Sequence, residues 1–189
     1  NELHDLSHPV VFLPGKKVTG MFEDSQGTLW FCTVDEGVFA LPRYAPVIYG
    51  KGKFPSLNIR SVAQSDDGKL LLGDNLGNIH VMHGNTIRTV ALNPLQQYNQ
   101  VRQIIPVGAD AFWAVADDDL YFCDRNYSRL TRNNRKYSLK SAVIQHDKVW
   151  FASATQLGYI QINSWLNQKV VPHRFTSIGL DATGNIWAG

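Results

Sequence analysis

Charge is scarce in this chain: Lys, Arg, Asp and Glu make up 18% of its 189 residues and leave a net charge of only +2. So small a net charge does not imply a polyanionic partner, and nucleic acid is not expected. The one basic stretch, Arg125, Arg129, Arg132, Arg135 and Lys136, has no interleaved aromatic platform and reads as a solvated outer strand and loop. Cysteine is nearly absent. Two residues, Cys32 and Cys123, exclude a disulfide scaffold and a cysteine-based zinc site, and both sit in apolar runs as buried free thiols. No run reaches the 18 or so apolar residues that span a bilayer, and no basic segment leads into an apolar h-region. A membrane would be reached only through segments outside this chain, which opens on Asn1 rather than Met and reads as a processed or excised piece.

Catalytic signatures are lacking too. There is no G-x-S-x-G elbow, P-loop or zinc spacing, and Gly50-Lys51-Gly52-Lys53 lacks the spacing and the Ser or Thr of a phosphate cradle. The sequence therefore points to no enzyme, no cofactor and no metal. His80 and His83 fall on opposite faces of an extended strand, so they do not share an ion. Asp117, Asp118 and Asp119 have no acidic partners nearby to complete the six to eight oxygens calcium takes, and read as a solvated turn.

What is present is repetition. Hydrophobic residues make up 44% of the chain, enough for a sizeable core. They recur with a long period. The segment Val18 to Leu41, VTGMFEDSQGTLWFCTVDEGVFAL, carries an anchor, Trp30, echoed by Leu71, Trp113, Trp150 and Trp187 at intervals of 41, 42, 37 and 37 residues. A second column, Met21, Val62, Ile104, Ala142 and Ile178, keeps the register. Each repeat reads as strand, polar turn, strand, polar turn, strand, with room for a fourth strand. A period near forty built from short strands predicts an all-β protein, a β-propeller segment of about four to five blades of antiparallel four-stranded meanders.

The repeats run over about 18–58, 59–100, 101–138, 139–174 and an incomplete 175–189. Residues 8–13, HPVVFL, read as the outer strand of a preceding or shared blade within 1–17. Either the end segments share a blade in a ring of about five, or the piece belongs to a larger propeller, the favoured alternative. An open ring is expected to self-associate or to meet remaining blades of the same protein.

The anchors Trp30, Leu71, Trp113, Trp150 and Trp187 occupy a fixed place in a repeating strand. That predicts packing between blades rather than a platform for stacking sugars. A polar column offers a candidate binding site. Thr19, Arg60, Arg102, Lys140 and Thr176 each stand one residue into the innermost strand, near the channel mouth, and Arg60, Arg102 and Lys140 would form an arc of positive potential able to hold an acidic or hydroxyl-rich ligand. The competing expectation is that these residues only solvate a channel wall or pair with acidic turns at Asp74 and Asp118.

The first repeat resembles the two-component regulator propeller repeat through Val18, Glu23, Asp24, Gly27, Leu29, Trp30, Thr33 and Gly37, and the last through Ile178, Asp181, Gly184, Asn185, Ile186, Trp187 and Gly189. The middle three keep the apolar columns and lose much of the polar signature. The resemblance implies an extracytoplasmic, periplasmic sensor region of a membrane-bound hybrid histidine kinase, which senses ligands, commonly oligosaccharides, without catalysis. A purely structural or protein-interaction propeller is the rival reading, and part of a polysaccharide-degrading enzyme the third.

Overall fold

The computed structural model describes residues 12–42, 47–50, 52–54, 56–95, 98–117, 119–132 and 138–189, and within them the chain is all strand and turn. The first sheet holds β1 (Val18–Glu23), β2 (Leu29–Thr33), β3 (Val38–Leu41) and β4 (Val47–Tyr49). The second holds β5 (Ile59–Gln64), β6 (Leu70–Asp74), β7 (Asn78–His83) and β8 (Thr86–Ala91). Then come β9 (Val101–Val107), β10 (Ala111–Ala116), β11 (Leu120–Asp124) and β12 (Arg129–Arg132), followed by β13 (Leu139–Gln145), β14 (Lys148–Ser153), β15 (Leu157–Gln161) and β16 (Asn167–Val171). A two-stranded sheet of β17 (Ile178–Leu180) and β18 (Ile186–Ala188) completes the chain. All four larger sheets pair consecutive strands antiparallel, as meanders.

Local chemistry sets the hairpins. In the β1–β2 turn Asp24 Oδ1 accepts from the backbone N–H groups of Gln26 and Thr28, and Oδ2 accepts from the Trp30 indole Nε1 at 2.8 Å. The turn then needs a left-handed residue, and Gly27 supplies it at φ 75°, which only glycine adopts without cost. Asp181 repeats the arrangement, accepting from Thr183, Asn185 and Trp187 Nε1. Ser65 and Gln145 replace this Asp in the second and fourth sheets, where the anchor is Leu71 or where the turn is shorter. Gln145 Nε2 reaches Gly184 O of the next sheet instead, and the Trp150 indole N–H is buried without a partner.

Packing follows the columns. β6 and β10 are almost wholly buried, because neighbouring sheets cover both their faces, whereas β8 and β16 at the rim are largely exposed. Three core layers fill the gaps between successive sheets. Trp30, Cys32 and Val38 meet Ile59, Leu70 and Leu72; Leu71 and Ile79 meet Ile104, Phe112 and Tyr121; Trp113 and Val115 meet Ala142, Val149 and Phe151. Each anchor thus packs on the sheet that follows it. Both thiols are free and buried, and desolvation pushes Cys32 up to about 12 and Cys123 up to about 11.

This rule also explains where the expected burial fails. Trp30, Leu71 and Trp113 are buried, Trp150 is half-buried and Trp187 is 66% exposed. Trp150 faces a sheet of only two short strands, and Trp187 has no sheet after it among the described residues. Met21, whose column faces the preceding sheet, is likewise 66% exposed. Thr176 precedes β17 instead of lying within it. Of the stretch 8–13, Phe12 and Leu13 form a bend and the rest lies outside the described residues.

Candidate functional site

The innermost strands carry a recurrent irregularity that positions a side chain. In the β1–β2 pair Val18 faces Thr33 and Gly20 faces Cys32, leaving Thr19 without an opposite residue. Ile59 faces Asp74 and Ser61 faces Gly73, which leaves out Arg60. Val101 faces Ala116 and Gln103 faces Val115, leaving out Arg102; Leu139 faces Ser153 and Ser141 faces Ala152, leaving out Lys140. Each is a β-bulge, which takes one residue out of the in-and-out alternation and re-aims its side chain.

The four re-aimed side chains converge. Thr19, Arg60, Arg102 and Lys140, with Gln100, line one cavity of about 370 Å³. Thr176, outside its strand and bonded to Gly189 O, does not line it. The cavity rests on inner strands stitched together by side chains: Thr19 Oγ1 donates to Ile59 O at 3.0 Å, Ser61 Oγ to Val101 O at 2.9 Å and Gln103 Nε2 to Ala142 O at 2.9 Å. Gly73 permits the tight approach behind Arg60, since a Cβ there would lie 2.4 Å from Ser61 Oγ and 2.5 Å from Val101 Cγ1.

The three cations differ in their engagement. Arg102 Nε donates to Asp117 Oδ1 at 2.5 Å, an ion pair with both partners about one third exposed. Arg60 Nη2 donates to Gln100 Oε1 at 3.1 Å, a neutral partner, and the Asp117 backbone N–H donates to Gln100 O at 3.1 Å. Arg60, Gln100, Asp117 and Arg102 therefore form one connected rim. Among the described residues neither Arg60 nor Lys140 is in an ion pair. Asp74, offered above as an acidic partner, is instead buried and accepts from Leu76 N, Asn78 and His80, while Asp118 lies outside the described residues. Burial pushes the Asp74 carboxyl up, but the bonds from His80, Asn78 and Leu76 outweigh it and hold it below the usual carboxylate range.

The other candidates serve the fold. His80 is fully buried between Asp74 and Thr89, whereas His83 is exposed. Asp117 is engaged by Arg102, and Asp119 Oδ1 accepts from Leu120 N. Arg125, Arg129 and Arg132 lie exposed at the outer rim, and Arg135 and Lys136 fall outside the described residues. Gln100 and the role of Asp117 escaped the sequence reading: the positions matching Gln100 in the other repeats are Lys17, Asn58, Ser138 and Arg174, so no column marks it.

The family model described as the two component regulator propeller matches residues 13–35. Among solved structures, the chain is similar to the extracellular domain of a protein assigned as a hybrid two component system in B. thetaiotaomicron, with a TM-score of 0.74, 16% identity and coverage of 91% of this chain and 26% of that one. It is also similar to virginiamycin B lyase from Staphylococcus aureus (TM-score 0.75, 12% identity, 92% and 63% covered) and to the β-propeller domain of Cps50 (Swd1) from Myceliophteria thermophila (TM-score 0.69, 16% identity, 92% and 62% covered). The chain thus spans about a quarter of the first and under two thirds of the other two. No curated protein matches it by sequence. At such identities the likeness shows the fold alone, and all three carry β-propeller architecture or its blades. The chain is a β-propeller segment bearing the two component regulator propeller repeat, matched at residues 13–35.

Proposed function

We propose that this chain is a ligand-recognising propeller from the extracytoplasmic region of a two-component sensor, and that it binds a carbohydrate or another small ligand in the bulge-lined cavity. The observation that carries the reading is the convergence of Thr19, Arg60, Arg102 and Lys140 from four successive sheets on one cavity. Its volume lies at the lower end of the range usual for ligand pockets, about 300–1,000 Å³. The repeat match and the likeness to an extracellular domain of a two component system support the setting. The bound ligand would act by changing the geometry passed to an output segment outside this chain.

The likeness to a lyase, which concerns the fold alone, leaves catalysis as the alternative reading. That lyase is described as catalytically inactive when one histidine is replaced by alanine. Here the described lining is hydroxyl, amide, guanidinium and ammonium, with no histidine and no carboxylate among them, and the Asp117 carboxylate at the rim is engaged by Arg102. Binding without turnover is therefore the better fit. Calorimetric titration of the chain with a panel of neutral and acidic disaccharides tests it. Binding is expected for at least one, unchanged sugar is expected on recovery, and the Arg60→Ala/Arg102→Ala/Lys140→Ala variant is expected to lose that binding. Unchanged affinity in the triple variant, or cleavage of the sugar, would overturn the proposal.

A further inference from the structure

Resting on that reading of the cavity, we infer that its ligand carries an anionic group, a carboxylate or a sulfate, held between Arg60 and Lys140, while Arg102 is a neutralised positioning residue. The hydrogen-bonding inventory leads there. Lys140 brings three donors with no partner among the described residues, Arg60 has spent one guanidinium N–H on Gln100, and the Gln100 amide N–H groups remain for the cavity. Acceptors are few. One lone pair of Gln100 Oε1 is used by Arg60, and Thr19 offers only the lone pairs of a hydroxyl whose proton goes to Ile59 O. A neutral polyol can accept these bonds through its hydroxyl lone pairs, but it would leave the excess of positive charge on Arg60 and Lys140 unanswered. An anionic oxygen pair answers it, and charge-assisted bonds are the stronger kind.

The arrangement also ranks the cations. Asp117 cancels Arg102 at the rim, so the field in the cavity comes from Arg60 and Lys140. The Arg102–Asp117 pair holds Gln100 through the Asp117 backbone N–H, and Gln100 in turn holds Arg60. Arg102 therefore acts through others.

The experiment is a titration of the chain with a neutral glucose disaccharide, with the same disaccharide oxidised to its uronate, and with inorganic sulfate alone, at low and at physiological salt. The uronate is expected to bind at least about tenfold more tightly than the neutral sugar, and less tightly as salt rises. Arg60→Ala and Lys140→Ala are each expected to weaken the uronate by roughly tenfold or more, and Arg102→Ala by less. Asp117→Asn, which uncovers the third cation, should tighten the uronate by roughly two- to fivefold, with the neutral sugar unmoved. Sulfate binding lost in Arg60→Ala would support an anion subsite independent of the sugar. Equal affinity for both sugars, or Arg102→Ala costing most, would overturn the anion assignment and leave a neutral-ligand cavity standing. Binding of neither sugar nor of sulfate would overturn the cavity as a site altogether.

Discussion

Replacing Gly73 with alanine tests whether the inner strands are as closely fitted as their contacts imply. The residue sits in β6 opposite Ser61, with a backbone conformation open to any L-residue, so the cost of a methyl group is purely steric. That methyl would lie 2.4 Å from Ser61 Oγ, 2.5 Å from Val101 Cγ1 and 2.6 Å from Val101 Cβ. Ordinary contact between such atoms is about 3.5–4.0 Å, so roughly one ångström must be recovered on two sides. Ser61 cannot yield freely, because its hydroxyl is bonded to Val101 O across the sheets. Overpacking of this kind costs about 1–3 kcal/mol. At about 2–4 °C per kcal/mol for a chain of this size, the melting temperature should fall by roughly 2–12 °C. Thermal unfolding followed by circular dichroism reads this directly. Val101→Ala in the same chain removes the Cγ1 clash and keeps the Cβ one at 2.6 Å, so the double variant should lose somewhat less than the sum of the two single ones. An unchanged melting temperature in Gly73→Ala, or strict additivity with Val101→Ala, would refute the close fit.

Three further predictions concern Asp24, which organises the first hairpin, and the indole bonded to it. Asp24→Ala removes the acceptor of two backbone N–H groups and one indole N–H and should cost about 1–3 kcal/mol in denaturant unfolding. Burial raises the Asp24 carboxyl, but the bonds from Trp30, Thr28 and Gln26 outweigh it and leave it below its ordinary 3.8, so its contribution is full above that value and fades as pH falls through the lower, folded value. The gap between parent and Asp24→Asn should accordingly be present at pH 6 and narrow below about pH 4; a constant gap would refute the assignment. Trp30→Phe should cost more than Trp150→Phe beyond the difference in ring burial, because only the first leaves a carboxylate short of a donor; equal losses in urea midpoints would argue that the indole bond carries no weight.

The period, the anchor column and the polar column were legible because packing between sheets needs an apolar residue at a fixed place in every repeat, and a fixed place leaves a fixed interval. Burial was less legible. Whether Trp187 is covered depends on the strands that follow it, so an anchor identical in sequence to Trp30 ends up exposed. The bulges at Arg60, Arg102 and Lys140 could not be read from alternation, since an extra residue in one strand shows only when its partner strand is laid beside it. Gln100 stayed hidden for a related reason: it joins the cavity from a link ahead of β9, where no repeat constraint acts.

The recurrence of the bulge separates two inheritances within each repeat. Residues on either side of it are held by the facing strand, while the extra residue has no opposite number there, so its identity is set by the polar bonds it makes at the cavity more than by the core. Thr, Arg, Arg and Lys then amount to four settings written about forty residues apart, and the chemistry of the cavity becomes a short word spelled around the axis. A propeller of this build can vary its cavity lining one letter at a time, although Thr19, bonded to Ile59 O of the next sheet, is a stitch as well as a letter.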